Sequence, residues 1–201
     1  IILFDGISGE WLSKVISINR DNTALRISKN LKKIKKPLDI WLIFAPIKQN
    51  RMSLAIQKAT ELGVSKIIPC KTQFTNIKNI NIKNLFNNAI EAAEQSQRID
   101  IPTIEKETDL TYLLQNWPDD RTLVFCDEKT NGKGIIETIE KIKHSTTKWS
   151  VMIGPEGGFS EAERDLILQN KNVVSVSLGN TILRSDTAIT VAFYCLKEIT
   201  S

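Results

Sequence analysis

The feature that most constrains this chain lies between Val151 and Asp186, where two apolar runs of strand length each empty into a glycine-centred loop. The first run, Trp149-Ser150-Val151-Met152-Ile153, leads into Gly154-Pro155-Glu156-Gly157-Gly158-Phe159-Ser160. The second, Val173-Val174-Ser175-Val176-Ser177-Leu178, leads into Gly179-Asn180-Thr181-Ile182-Leu183-Arg184-Ser185-Asp186. Each run has the length and β-branched content of a buried strand, and each loop opens into a helical pattern. If the two strands are neighbours in a parallel sheet, their loops form one ligand crevice beyond the carboxyl ends.

The first loop carries the more readable chemistry. Gly157 and Gly158 allow left-handed backbone and let a ligand approach the main chain, because no Cβ intervenes. Pro155 stiffens the entry and offers no N–H. Ser160 and Glu163 have capping-box spacing, so a helix is predicted to start there with its free N–H groups facing the loop. An ordinary strand–turn–helix corner is the competing reading of a glycine pair. Neither GxGxxG nor a loop ending in Gly-Lys-Ser/Thr is present, which disfavours a dinucleotide or triphosphate pocket.

Other function classes recede on composition. The longest apolar run, Ile40 to Ile47, contains Pro46 and is too short to span a bilayer. Cys70, Cys126 and Cys195 form no CxxC pair and read as reduced core thiols of a cytosolic protein, with a catalytic cysteine lacking an evident histidine partner as the alternative. The single histidine, His144, sits in a polar turn, so neither a zinc cluster nor a Ser-His-Asp hydrolase is expected. Net charge is +4, unevenly spread: residues 1–37 hold eight basic and three acidic groups, a net +5, leaving −1 for the rest. A basic appendage on a near-neutral body suggests a polyanion such as nucleic acid, with a solvated lysine-rich linker as the plainer reading.

In chain order, Ile1–Phe4, Glu10–Ile18 and Thr23–Ile27 read as strands, and Lys29–Lys36 as a basic linker ending at Pro37. Three strands cannot close a barrel, and the chain opens on Ile1, so the expectation is the latter part of a small β-barrel whose N-terminus is missing. From Pro37 a β-α-β order begins: a strand over Leu38–Ala45, a helix from Met52 to Leu62 stopped by Gly63, and a strand over Val64–Cys70. This predicts a parallel sheet with right-handed crossovers. Further helices are predicted over Asn84–Gln97, Asp109–Trp117, Gly134–Lys143 and Thr187–Ile199, with a strand over Thr122–Cys126. Glu91, Glu94, Gln95 and Arg98 share a helix face, either as solvated surface or as a polar wall towards a substrate or second subunit.

Ile153-Gly-Pro-Glu-Gly-Gly-Phe-Ser160, followed by Leu178-Gly-x-x-Ile182-Leu183-Arg184-x-x-Thr187-Ala188, resembles the RsmE family of 16S rRNA (uracil-N3)-methyltransferases in the SPOUT superfamily. Gln57-Lys-Ala-Thr-Glu-Leu-Gly-Val64, Pro69, Glu91-Ala-Ala-Glu-Gln-Ser96, Arg98 and Pro102 agree with it, so the resemblance covers essentially the whole chain. It implies an α/β domain with a parallel sheet and a trefoil-knotted C-terminal part over residues 37–201. A partial PUA-like RNA-binding β-barrel and basic linker precede it over residues 1–36. Phe74-Thr75 stands where the family usually has Arg-Ser or Arg-Cys, Asp186 where it has Glu, and Asn180-Thr181 where Pro or Asp and Arg are usual.

The resemblance further implies S-adenosylmethionine as methyl donor, 16S rRNA of the small ribosomal subunit as substrate, a cytoplasmic homodimer, and no metal. Adenine would lie against Leu178, Ile182 and Leu183, with backbone groups of Gly154 and Gly179 at its polar edge. Gly157 and Gly158 would admit the ligand, and Phe125 with Cys126 would line the methionine or ribose side. Glu156 would bind ribose hydroxyls or cap its own loop. Arg184 or Arg98 would stabilise a uridylate, Arg98 acting from the second subunit, and Asp186 would be the base or a partner of Arg184. The alternatives are ribose 2′-O methylation by another SPOUT enzyme, or RNA binding without catalysis.

Overall fold

The computed structural model describes residues 1–33, 38–77, 79–129 and 133–200. Two sheets are present in them. The first is antiparallel, with β1 (Ile2–Phe4), β2 (Glu10–Ile18) and β3 (Thr23–Lys32) in that order. Pairing of β2 with β3 breaks register between Glu10 and Trp11, Leu12 and Ser13, and Val15 and Ser17. Such irregularities bend and twist a ribbon in the way a small barrel needs.

The expected basic linker is partly strand. Lys29 and Lys32 belong to β3, where Lys29 faces Leu12 and Lys32 faces Glu10, with Lys32 Nζ 3.2 Å from Glu10 Oε2. Ladder hydrogen bonds to β2 outweigh the low strand preference of a lysine-rich segment. Ile34 to Pro37, and with them the expected boundary at 36/37, lie outside the described residues.

The second sheet alternates with helices. In order come β4 (Asp39–Phe44), α1 (Gln49–Glu61), β5 (Lys66–Lys71), α2 (Ile82–Gln95), β6 (Thr103–Ile104), β7 (Thr108–Asp109), α3 (Leu110–Gln115) and β8 (Thr122–Cys126). Then follow α4 (Ile135–Ile142), β9 (Lys148–Ile153), α5 (Glu161–Leu168), β10 (Val173–Val176) and α6 (Ser185–Thr200). Strand order is β10-β8-β9-β4-β5-β6, all parallel, with β7 alongside the carboxyl end of β5. β6 and β7 were not predicted, since two-residue strands carry no periodicity. Asp109, expected as the first residue of a helix, is instead its cap: its carboxylate accepts the Tyr112 N–H at 2.8 Å.

The predicted parallel α/β architecture is therefore present, and the pleat sorts side chains to two cores. Ile40, Leu42 and Phe44 pack with Ile56 and Ala59 of α1 and with Ala188, Phe193 and Leu196 of α6. Ile43, Met152 and Phe125 point the other way, towards Leu110, Leu114, Trp117, Phe159 and Ile167. Both faces are covered, which explains the near-continuous apolar runs of β4 and β9.

Two arginines act as clasps. Arg121, 3% exposed and immediately ahead of β8, donates from Nη1 to the Trp149 carbonyl at 2.7 Å and the Asp39 carbonyl at 3.1 Å. Its Nη2 meets Asp39 Oδ2 at 2.6 Å, and its guanidinium lies 3.6 Å above the Trp41 ring. It thus joins the amino ends of β8, β4 and β9. Arg98 donates to the carbonyls of Thr60 and Val64 and to both carboxylate oxygens of Asp100. This fastens the end of α2 to the turn after α1.

Candidate active site

β9 and β10 are not neighbours, because β8 lies between them. The two glycine loops consequently flank a third strand end, and the crevice has a floor that a two-loop reading lacks. One wall is Gly154, Pro155, Gly158 and Phe159; the other runs from Leu178 to Leu183. The floor is Cys126, Asp127, Glu128 and Lys129, and the back is Ser185 and Ala188 of α6. The space is about 800 Å³, its solvent-open mouth included, within the range of small-molecule and cofactor sites. A hydrogen bond from Ser185 Oγ to the Gly154 carbonyl, 3.0 Å, ties the second loop to the first.

Local sequence explains the first wall. The Ser160 hydroxyl accepts the Glu163 N–H at 3.3 Å, and Glu163 Oε2 accepts the Ser160 N–H at 3.0 Å, completing the predicted capping box. Glu163 Oε1 also accepts the Gln73 N–H at 2.7 Å, fastening the turn after β5 to the same helix start. Gly158 has φ +69°, a conformation that strains any residue bearing a Cβ. At Gly154 a Cβ would stand 2.7 Å from the Phe159 ring, so this glycine is required by an aromatic neighbour.

Of the expected donor-site residues, Gly154, Gly158, Leu178, Gly179, Ile182 and Leu183 line the crevice. Phe125 does not. Its side chain is fully buried on the opposite face of β8 and meets Phe159 edge to face at 5.1 Å, leaving Cys126 to face the crevice. Glu156 is exposed on the outside of the loop, with its carboxylate 3.9 Å from Arg51 Nη1. Gly157 backs onto the turn after β5, where a Cβ would meet the Phe74 Cβ at 3.1 Å.

The catalytic candidates separate in space. Arg184 is exposed between the crevice residues Leu183 and Ser185, and no ion pair engages it among the described residues. Asp186, in the first turn of α6, has a buried Oδ1 without a hydrogen-bond partner and makes no ion pair with Arg184. Arg98 is absent from the crevice wall of its own chain. Its donors are occupied by Thr60, Val64 and Asp100, so its geometry is that of a structural clasp.

Sequence reasoning missed Asp127 and Arg164. Both line the crevice, and the Asp127 carboxylate receives Arg164 Nη2 at 2.6 Å and Nε at 3.2 Å. The Asp127 side chain is 3% exposed and that of Arg164 17%. Arg164 also reaches Glu161, 3.3 Å, and Glu161 reaches Lys129, 2.6 Å, so a chain of charges joins the β8 end to the start of α5. The residues lie 37 apart, beyond any local pattern; the available signal was Asp127 directly following a predicted strand.

The thiols hold their protons near neutrality. Burial, reinforced by Asp109, Glu163 and Glu107, pushes Cys70 up to about 12, and burial holds Cys126 above the ordinary thiol range. Neither supplies a thiolate near neutrality. Among the described residues no cluster of metal-ligating side chains occurs, and no helix is long and apolar enough to cross a membrane.

A closed-back crevice at the carboxyl ends of three parallel strands, covered by helices on both faces, defines an α/β ligand-binding domain, and the family description "RNA methyltransferase domain" matches residues 34–197. The chain belongs to this RNA methyltransferase family, and within it to the family of ribosomal RNA small subunit methyltransferase E. It is 37% identical over 191 residues to the Rickettsia conorii protein of that name, covering 94% of this chain and 77% of that one. To the protein of the same name from Buchnera aphidicola subsp. Schizaphis graminum it is 30% identical over 203 residues, covering 97% and 80%. The crystal structure of the Neisseria gonorrhoeae enzyme of that name bound to S-adenosyl methionine superposes with a TM-score of 0.87 at 25% identity, covering 99% of this chain and 82% of that one. A SpoU methyltransferase from Streptomyces viridochromogenes, 16% identical with a TM-score of 0.52 over 82% of this chain and 61% of that one, shares the fold alone. The α/β fold is that of the SPOUT methyltransferases.

Proposed function

We propose that this chain transfers a methyl group from S-adenosylmethionine to N3 of a uridine in 16S rRNA of the small ribosomal subunit. The observation that carries the reading is the Ser185–Gly154 hydrogen bond, which makes two separate glycine loops into one crevice of cofactor size. The crevice fits such a donor chemically: Leu178, Ile182 and Leu183 give apolar cover for a purine, and the exposed carboxylate of Glu128 at the floor suits a cationic ligand. When bound, S-adenosylmethionine supplies an electrophilic methyl group carried on a sulfonium.

The chain's own residues then position and stabilise. Gly154 and Gly179 present backbone at the purine edge; the Gly154 carbonyl keeps a second lone pair after accepting Ser185. Arg184 at the crevice mouth offsets the negative charge that develops on the uracil oxygens as N3 loses its proton. Asp186, in the first turn of α6 beside Arg184, takes that proton. The relatives' names and the donor bound to the Neisseria gonorrhoeae enzyme support this reading. The proposal includes a cytoplasmic homodimer. It also includes a division at residues 36/37, with the basic three-stranded sheet contacting rRNA phosphates in a salt-dependent way.

The test is methylation of small ribosomal subunits from a strain lacking this modification, followed by nucleoside mapping of 16S rRNA. N3-methyluridine is expected. A ribose 2′-O-methyl product, or no incorporation, would overturn the assignment.

A further inference from the structure

The turn after β5 holds an aromatic ring that the crevice does not use. Phe74 is 42% exposed, yet its turn is tightly fixed. The Thr72 N–H donates to Thr75 Oγ1 at 3.0 Å, the Thr75 N–H donates to the Thr72 carbonyl at 3.0 Å, and the two threonine hydroxyls share a hydrogen bond of 2.9 Å. The Gln73 N–H is bound by Glu163, which caps α5. The ring is thus displayed by a turn closed by three internal hydrogen bonds and fastened by a fourth to the helix start that shapes the glycine loop.

Its location gives the display a meaning. The base of the Phe74 side chain packs against Gly157, and the next residue, Gly158, is crevice wall. The ring therefore stands on the rim, one residue from the space where a methyl donor fits. On the same loop the Glu156 carboxylate is 3.9 Å from Arg51 Nη1, a loose pair whose side chains are 46% and 32% exposed. Lys71, exposed at the end of β5, precedes the turn. A rigid aromatic face beside partly available cations suits a single-stranded nucleic acid, whose bases stack on rings and whose phosphates seek guanidinium groups.

We infer that Phe74 is a stacking platform for an unpaired RNA base at the mouth of the crevice, with Arg51 as the adjoining phosphate contact. The inference rests on the proposed rRNA substrate and specifies how that substrate is positioned. Phe74 acts by orienting RNA and takes no part in the bond exchange. Pre-fixing the ring limits the entropy lost when a base docks on it.

The experiment compares Phe74→Leu, Phe74→Ala and Phe74→Trp in methyl-transfer kinetics on small subunits and in calorimetry with S-adenosylmethionine. Leucine keeps the apolar packing on Gly157 but lacks a π-face. With Leu or Ala the KM for RNA should rise about 5- to 150-fold, as loss of one stacked base implies, while kcat and donor affinity stay within about twofold; Trp should restore KM. A wild-type KM in Phe74→Leu, or a donor affinity that falls as far as the RNA KM rises, would overturn the inference. A second arm separates this from failure of the proposed function: binding of a fluorescent single-stranded uridine-containing 16S rRNA fragment. Quenching lost in Phe74→Leu and kept in Phe74→Trp supports stacking even if no methyl is transferred, and equal binding by all variants refutes it.

Discussion

The Ser185 hydroxyl donates to the Gly154 carbonyl across 3.0 Å, joining the first residue of α6 to the loop after β9 over a sequence separation of 31 residues. It closes the back of the crevice. Ser185→Ala removes one neutral hydrogen bond and leaves the carbonyl short of a partner, an effect of about 1 kcal/mol. Affinity for S-adenosylmethionine, read by calorimetry, should fall by about fivefold, and the thermal midpoint by about 2–4 °C. Undiminished affinity would show that the two loops hold together without this bond.

Gly154→Ala should be far more severe than its size suggests. The added methyl would sit 2.7 Å from the Phe159 ring, which is 7% exposed and packed edge to face on Phe125. Overpacking of this kind costs about 1–3 kcal/mol. Both a lowered unfolding midpoint and loss of donor binding are expected. A folded, fully binding variant would mean that the ring yields freely.

Arg164→Ala strands the Asp127 carboxylate, whose side chain is 3% exposed. Removing one partner of a buried pair costs about 3–5 kcal/mol. The double change Arg164→Ala with Asp127→Asn should recover part of that loss, because a neutral amide tolerates burial better than an unpaired charge. Denaturant midpoints of the wild type, the two single variants and the double variant measure the coupling, and strictly additive effects would refute it.

Arg184→Ala tests the proposed chemistry. Arg184 is exposed and unengaged by any ion pair among the described residues, so stability should hardly change. Methyl transfer should fall by about 100-fold or more, as when one transition-state charge contact is lost, while donor affinity stays near wild type. Unchanged turnover would remove Arg184 from the mechanism.

Cys70 gives a pH dependence with a definite sign. Its thiol titrates at about 12 in the folded chain against 9.0 for the free group. The folded state therefore holds its proton longer than the unfolded state. That contribution to stability is complete below about pH 9 and is lost as pH rises from there towards 12. Urea midpoints should decline over that interval, and more gently in Cys70→Val. An identical decline in both proteins would assign the effect to other groups.

How much of this was legible in sequence follows from range. β2 and β8 were read residue for residue, since alternation and β-branching are local signals. The capping box at Ser160 and Glu163 was equally local. The last helix begins at Ser185, two residues before the predicted start at Thr187, because Ser185 combines helical backbone with a side-chain bond to a distant loop. Strand order was not legible, and neither was the insertion of β8 between β9 and β10. That insertion brought Asp127 and Glu128 to the crevice floor, and the pleat of β8 turned Phe125 away from it. Arg98 looked available on a polar helix face, whereas carbonyls of Thr60 and Val64, far off in sequence, occupy its donors.

The Arg121 clasp has a mechanical corollary. It rivets β4, β8 and β9 at one extremity through the Asp39 and Trp149 carbonyls and the Trp41 ring, while the glycine bends hang from the opposite extremity. The strands that carry the first glycine bend and the crevice floor are thus pinned where no ligand sits, and their other ends are left to the loops.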